Sequence, residues 1–303
     1  MVDVVLLGCG GSMPTPERFL SSVVMMYKGH KILIDCGEGT QVSMRMCNTG
    51  FKTIDVICIS HIHGDHIVGL PGLLGTIGNS GRTEPIVIIG PEGITKAVNG
   101  LRTIVEWLPY EINIIENPKE TLNFLDNEIE ISFIEADYSS PCLGYSFYVK
   151  RTPKFDIDNA IKNNVPKNIW NILQKKLPSV EVDGTVYTRN MVMGEERKGI
   201  KMSFITDSRP VSEMAHFIKD SDLFICEGTY GSDDDIDKAI KNKHMTFREA
   251  ATLAHDGNVK KLLLTHFGTA MGDPSMFEDN AREVFAETTV GSDRLKLSLD
   301  FEK

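Results

Sequence analysis

Residues 2–7 form an apolar run, broken only by Asp3, that stops at Gly8-Cys9-Gly10-Gly11, the pattern of a buried strand entering a tight loop. Two further apolar stretches, 22–27 and 31–35, flank Lys28-Gly29-His30, and this spacing predicts a hairpin. Residues 54–60 are almost wholly apolar, as in a strand covered on both faces, and 85–90 repeat that pattern more briefly. Helical character is expected over 39–47. It is expected again over 93–107, where Ile94, Ala97, Val98, Leu101, Ile104 and Val105 fall on one side. Strands follow at 110–115, 128–134 and 144–149.

The pattern then changes. Residues 152–200 are rich in Lys and Asn, with short helices predicted over 157–163 and 167–176, and read as an inserted arm or lid within a single domain spanning 1–303. Alternation resumes with strands at 201–206, 222–226 and 260–265, helices at 246–255 and 274–286, and a closing strand at 295–299. Strands in both halves, separated by helices, predict an α/β fold of two sheets packed face to face and covered by helices. No internal repeat recurs at a fixed period.

Composition narrows the class. A 303-residue chain with 41% hydrophobic and 24% charged residues is of ordinary globular type. No apolar stretch approaches the ~20 residues that span a bilayer, so no membrane association is expected. Asp3 directly after Met1-Val2 does not look like a signal peptide. The six cysteines are scattered, without a C-x-x-C pair, which points to reduced thiols and a cytoplasmic protein. The formal net charge of −10 counts mildly against a substrate held by bulk electrostatics, such as RNA, although local basic patches outweigh the sum.

His61-Ile62-His63-Gly64-Asp65-His66 directly follows the apolar run 54–60, so its side chains emerge at a sheet end, where open α/β folds bind ligands. Three imidazoles and a carboxylate are costly to bury as plain core, and imidazole nitrogen and carboxylate oxygen are the usual donors to zinc. The bland reading, a surface histidine cluster without metal, fits poorly with this position. One hexapeptide cannot fill two coordination shells. Asp207 in Ile205-Thr206-Asp207-Ser208 and His266 in Leu264-Thr265-His266-Phe267 also end apolar strands, and an Asp there could bridge two metals ~3.5–4 Å apart. Either residue alone is as readily a turn or cap.

These residues resemble the metallo-β-lactamase superfamily and, within it, the ribonuclease Z branch. Asp35-Cys36-Gly37-Glu38-Gly39-Thr40-Gln41 is similar to a signature of that branch, and so are Asp207-Ser208-Arg209-Pro210, Cys226-Glu227-Gly228-Thr229-Tyr230 and His244-Met245-Thr246. The likeness runs from the first strand to about residue 270. It implies a four-layer αββα sandwich and endonucleolytic removal of the 3′ trailer from precursor tRNA by metal-activated water. It also implies a homodimer and one or two zinc ions per subunit, with manganese or iron as possible occupants. By the same resemblance His61 and His63 hold one metal and Asp65, His66 and His266 the other, with Asp207 between them. Asp65 manages the proton of the attacking water, a Glu227–His244 dyad protonates the leaving oxygen, and Asp35 orients histidines by hydrogen bonds.

The chain departs from the family in three places. Counting back from Gly144-Tyr145, the position of a further histidine ligand holds Tyr138, and no other histidine lies between His66 and His216. Either a Tyr138 phenolate, with Asp137 adjacent, completes the first shell, or Tyr138 is a half-buried aromatic and the first site is weakened or lost. The second reading is favoured, since Tyr is not among the common zinc ligands. Ser146 stands where the family has Arg, and the arm around residues 164–170 lacks the family's Gly-Pro tip. Arm lysines Lys154, Lys162, Lys167, Lys175 and Lys176 could meet phosphates or simply be solvated. The departures and the acidic balance keep two alternatives open: a hydrolase of small phosphodiesters or related esters, and a binding protein without turnover. Gly8-Cys9-Gly10-Gly11-Ser12 lacks a following Gly-Lys-Ser and reads as a turn, and Asp233-Asp234-Asp235 reads as a solvated loop.

Overall fold

Strands that are apolar at nearly every position can be covered on both faces, and that is what this chain does. In the computed structural model, which describes residues 1–302, the chain opens with β1 (Val2–Gly8), β2 (Ser22–Tyr27) and β3 (His30–Ile34). Lys28 and Gly29, at φ 49° and 86°, make the two-residue turn between β2 and β3, with Tyr27 opposite His30. Then come α1 (Thr40–Cys47), β4 (Ile54–Cys58), α2 (Gly64–Ile67), α3 (Leu70–Asn79), β5 (Ile86–Gly90), α4 (Ile94–Arg102) and β6 (Ile112–Glu116). The second half begins with β7 (Leu122–Phe124), β8 (Ile129–Glu135) and β9 (Leu143–Arg151).

A segment containing α5 (Ile157–Lys162), α6 (Trp170–Lys175), β10 (Ser179–Val182) and β11 (Thr185–Thr188) intervenes. The chain continues with β12 (Arg197–Ile205), α7 (Ser212–Phe217), β13 (Leu223–Glu227), α8 (Ile236–Asn242), α9 (Phe247–Asp256) and β14 (Leu262–Thr265). It closes with α10 (Glu278–Arg282), β15 (Thr288–Val290) and β16 (Leu295–Leu299).

Two seven-stranded sheets result, ordered β16-β1-β2-β3-β4-β5-β6 and β15-β14-β13-β12-β9-β8-β7. In the first, β3 to β6 run parallel; in the second, β12 to β15 do. Val5, Leu7, Val24, Leu33 and Ile57 pack with Met44, Leu70, Leu73, Leu74, Ile77, Ile94 and Val98 from the helices. The opposite face, including Leu6, Val23, Met25, Ile34, Val56 and Cys58, is equally buried. There the sheets are joined by hydrogen bonds. The Tyr145 hydroxyl on β9 donates to the Ile59 carbonyl at 2.6 Å, and the Leu143 amide donates to the Ser60 carbonyl at 2.9 Å. All six cysteines are buried free thiols, and no helix among the described residues is long and apolar enough to cross a membrane.

Two expected helices need correction, and one helix was not expected. The helix expected over 93–107 stops at Arg102. The β-branched run Thr103-Ile104-Val105 is a poor helix former, and Ile104 and Trp107 are left exposed. The helix expected over 274–286 is a 3-10 turn, Pro274–Phe277, followed by the short α10. Helix α3 is absent from the sequence reading, because Gly72, Gly75 and Gly78 mask its propensity. Those glycines allow close approach: a Cβ at Gly72 would sit 2.6 Å from the Gln41 side chain on α1.

Val149–Gly199 belongs to a second compact unit. It has its own small core of Ala160, Val165, Ile169, Leu173, Val192 and Met193, with Phe155 and Trp170 packed against it. Asp183 and Gly184, both at positive φ, close the β10–β11 hairpin, a turn that sequence reading passed over.

Tyr145 is fully buried, so Tyr145→Phe removes the bond to Ile59 without opening much space. We expect a loss of about 1–2 kcal/mol, read as a lower urea midpoint at unchanged m-value.

Candidate metal centre

The polar side chains of the core gather where parallel strands end. Asp35 follows β3, Ser60 to His66 follow β4 and run into α2, Asp207 follows β12, Glu227 ends β13, and His266 follows β14. Asp35, Asp207 and His266 all leave their strands with left-handed backbone, at φ 56°, 48° and 57°. Non-glycine residues avoid this region unless the surroundings impose it, and such residues cluster at functional sites. Each turn swings a side chain off the strand edge toward a common point.

At that point four donor atoms converge. His66 Nε2 lies 3.1 Å from His266 Nε2, 3.2 Å from Asp207 Oδ2 and 3.5 Å from Asp65 Oδ2. His266 Nε2 lies 3.2 Å from Asp207 Oδ2 and 3.5 Å from Asp65 Oδ2. Ligands ~2.0–2.1 Å from a tetrahedral ion are separated by about 3.3 Å, and Asp65, His66 and His266 have the spacing of three donors to one ion, with Asp207 against both imidazoles. His61 Nε2 stands 3.9 Å from Asp207 Oδ1, is fully buried, and has no hydrogen-bond partner. A buried orphan nitrogen facing carboxylates fits a site for a cation.

The outer nitrogens are tied down by two hydroxyls and two carboxylates. His66 Nδ1 lies 2.7 Å from Asp35 Oδ2. The Ser60 hydroxyl donates to Asp35 Oδ2 at 2.8 Å, so its oxygen is left to accept from His61 Nδ1 at 3.1 Å. The Thr229 hydroxyl repeats this on the other sheet. It donates to Glu227 Oε2 at 2.7 Å and can accept from His266 Nδ1 at 3.1 Å. With the Nδ1 atoms as donors, all three Nε2 atoms carry lone pairs toward the centre.

Glu227, fully buried, also accepts from the Ser208 amide at 2.7 Å and the Met245 amide at 3.1 Å. His244 Nδ1 is 3.1 Å from Glu227 Oε2 and 3.8 Å from Asp207 Oδ1. Burial opposes a charge on His244, but Glu227 outweighs it and the imidazole is raised to about 9. His61 shifts the other way, well below the usual histidine range, through burial and then the neighbouring His66. Arg209 braces this side by pairing with Glu249, which also closes the capping box of α9 on Thr246.

The residues singled out from sequence divide unevenly. His61, Asp65, His66, Asp207 and His266 come together, as do Glu227 and His244, with Asp35 behind His66. His63 is half-buried and touches the group through its ring, 4.6 Å from that of His61. Tyr138 lies 5.1 Å from the His61 ring and 5.4 Å from that of His63. Sequence reasoning missed Ser60 and Thr229 as orienting groups, although both adjoin motif residues. It set aside the Gly8–Ser12 turn as well. There the Ser12 amide donates to Asp65 Oδ2 at 2.7 Å, and a Cβ on Gly11 would meet the His266 ring at 2.6 Å.

Comparison with known proteins follows the same lines. The family described as anti-Pycsar protein Apyc1 matches residues 2–99, about a third of the chain. The chain is 65% identical to ribonuclease Z of Clostridium beijerinckii and 58% identical to that of Clostridioides difficile, each match covering 100% of both chains. The chain belongs to the ribonuclease Z family. Among solved structures it is similar to the short form of human tRNase Z, at 26% identity and a TM-score of 0.70, covering 99% of this chain and 100% of that one. The metallo-β-lactamase fold protein YhfI of Bacillus subtilis, at 18% identity and a TM-score of 0.71 over 98% of both chains, shares the fold. As a ribonuclease Z, the chain is a hydrolytic endoribonuclease of the metallo-β-lactamase superfamily, and family and donor set together imply a divalent metal.

Thr229 generates a direct test. Thr229→Val removes the acceptor for His266 Nδ1 and a donor to Glu227 at nearly constant volume. We expect metal affinity, measured by chelator competition, to fall ~10–100-fold. Thr229→Ser, which keeps the hydroxyl, is expected to restore most of it.

Proposed function

We infer that this ribonuclease Z removes the 3′ trailer from precursor tRNA by hydrolysis of one phosphodiester bond. The observation that supports the reading is the juxtaposition of a cluster of imidazole and carboxylate donors with the hydrogen-bonded His244–Glu227 pair: Asp207 belongs to the first, and its Oδ1 lies 3.8 Å from His244 Nδ1 of the second. Asp65, His66, His266 and Asp207 would hold one divalent cation and His61 and His63 another, and ions bound there would supply Lewis-acid charge to acidify water and offset charge developing on phosphorus. The all-nitrogen-and-oxygen donor set suits zinc, and manganese or iron could occupy it as well.

The remaining work falls to the chain. One Asp65 oxygen accepts from the Ser12 amide, and in this reading its carboxylate takes the proton of the attacking water. As the bond from phosphorus to the 3′ oxygen breaks, His244 delivers a proton to that oxygen. Glu227 steadies the imidazolium through Nδ1. The tRNA is left with a 3′-hydroxyl and the trailer with a 5′-phosphate. By family resemblance, the working unit is a cytoplasmic homodimer.

Incubated with metal-replete protein, a labelled precursor tRNA is expected to be cut once at the trailer junction. Chelation should stop the reaction and added metal restore it. Precursor left intact beside a control enzyme that cuts it would sink the reading. Cleavage of a chromogenic phosphodiester without any cleavage of tRNA would favour a small-ester hydrolase instead.

A separate expectation concerns the dyad. His244→Ala should lower kcat ~10²–10⁴-fold, the usual worth of a general acid, while metal content holds. A loss of metal matching the loss of rate would move His244 from proton donor to ligand.

A further inference from the structure

The two halves of the metal centre are not equivalent. On one side Asp65 Oδ2, His66 Nε2, His266 Nε2 and Asp207 Oδ2 stand 3.1–3.5 Å apart along five measured edges. Each of the two imidazole nitrogens has one lone pair and can serve one ion. Once His66 and His266 are committed, the other side retains His61 Nε2 and Asp207 Oδ1, separated by 3.9 Å, with His63 beyond. Among the described residues, His63 joins no set of three donors close enough to share an ion. The group that closes this side is the Tyr138 ring, packed edge-on against His61 and His63 and 5.4 Å from the ring of His244. Lys243 fixes that loop from behind, bonding Asp137 at 2.7 Å and the Tyr138 carbonyl at 3.3 Å. An aromatic wall therefore stands where a third nitrogen donor could complete a shell, and tyrosine is not among the common ligands of zinc.

We propose that this chain carries one tight metal site, on Asp65, His66, His266 and Asp207, and one intrinsically weak site, on His61 and His63, whose weakness is set by Tyr138. The proposal rests on the reading of these residues as metal ligands. In free protein the tight site fills first, and the weak site fills only at much higher metal concentration.

The test needs no RNA. Protein stripped by chelator is dialysed against a series of free Zn²⁺ concentrations, and bound zinc is measured by elemental analysis for wild type, Tyr138→His and Tyr138→Phe. Wild type is expected to take up one ion, with a second binding ~100-fold or more weakly, at or beyond the scale on which even supporting partners change metal affinity. Tyr138→His should bring the second ion into the range of the first, and Tyr138→Phe should leave the wild-type pattern unchanged. Two ions of equal affinity in wild type would overturn the proposal, as would loss of an ion in Tyr138→Phe, which would make the phenol a ligand. A Tyr138→His protein of native circular dichroism that still binds one ion would overturn it too. Failure to bind any zinc would instead strike at the metal-centre reading itself, so the two failures are distinguishable.

Discussion

The centre depends first on Asp35, a carboxylate with no exposed surface held at φ 56°. An unpaired ionised carboxylate in such a place would cost several kcal/mol. Asp35 is instead saturated, accepting from the Ser60 amide at 2.7 Å, the Ser60 hydroxyl at 2.8 Å and His66 Nδ1 at 2.7 Å. Those bonds tie the end of β3 to the end of β4 and fix two imidazoles from one oxygen pair. Its own carbonyl accepts from the Ser22 hydroxyl, so β2 is drawn into the same knot. The His61–His66 segment acquires its orientation from this knot before any cation is considered.

The second sheet solves the same problem with different residues. Glu227 plays the part of Asp35 and Thr229 that of Ser60, and His266 and His244 take the places of His61 and His66. In both halves a hydroxyl donates a hydrogen bond to a buried carboxylate and keeps its lone pairs for an imidazole. The halves are held in register by Tyr145 and Leu143, whose bonds reach the Ile59 and Ser60 carbonyls just before His61. Sheet packing and ligand geometry are therefore one mechanical unit. This is why a core tyrosine and the His61 imidazole are joined through so few bonds.

How much of this was legible in the sequence depended on the kind of signal. Asp35, Asp207 and His266 could be located because each follows an apolar strand, and strand ends are where side chains leave a sheet. Their left-handed backbones could not be read, since Asp and His visit positive φ more than most residues but far too seldom for the residue type alone to mark a position. Helix α3 was hidden by its glycines, whose low propensity reflects the free chain and not the close contact with α1 that they permit. Ser60 and Thr229 are small hydroxyl residues beside motif positions, and only the three-dimensional count of donors and acceptors gives them roles. The extent of α4 was overread because its apolar spacing continued into 103–107, where β-branching and exposure outweigh pattern.

The net charge of −10 is also easier to interpret with the site in view. Asp35, Asp65, Asp207 and Glu227 all lie in or against the centre, and three of them are buried. On the proposed reading these carboxylates hold cations and steady histidines, so they belong to the holoprotein's internal charge balance and contribute little to the field a substrate meets at the surface. Divalent ions reverse the sign of the local potential where a phosphodiester must approach. An acidic total is thus compatible with an RNA substrate: the sum over the chain and the field at the reacting phosphate are separate quantities, and the metal centre governs the second.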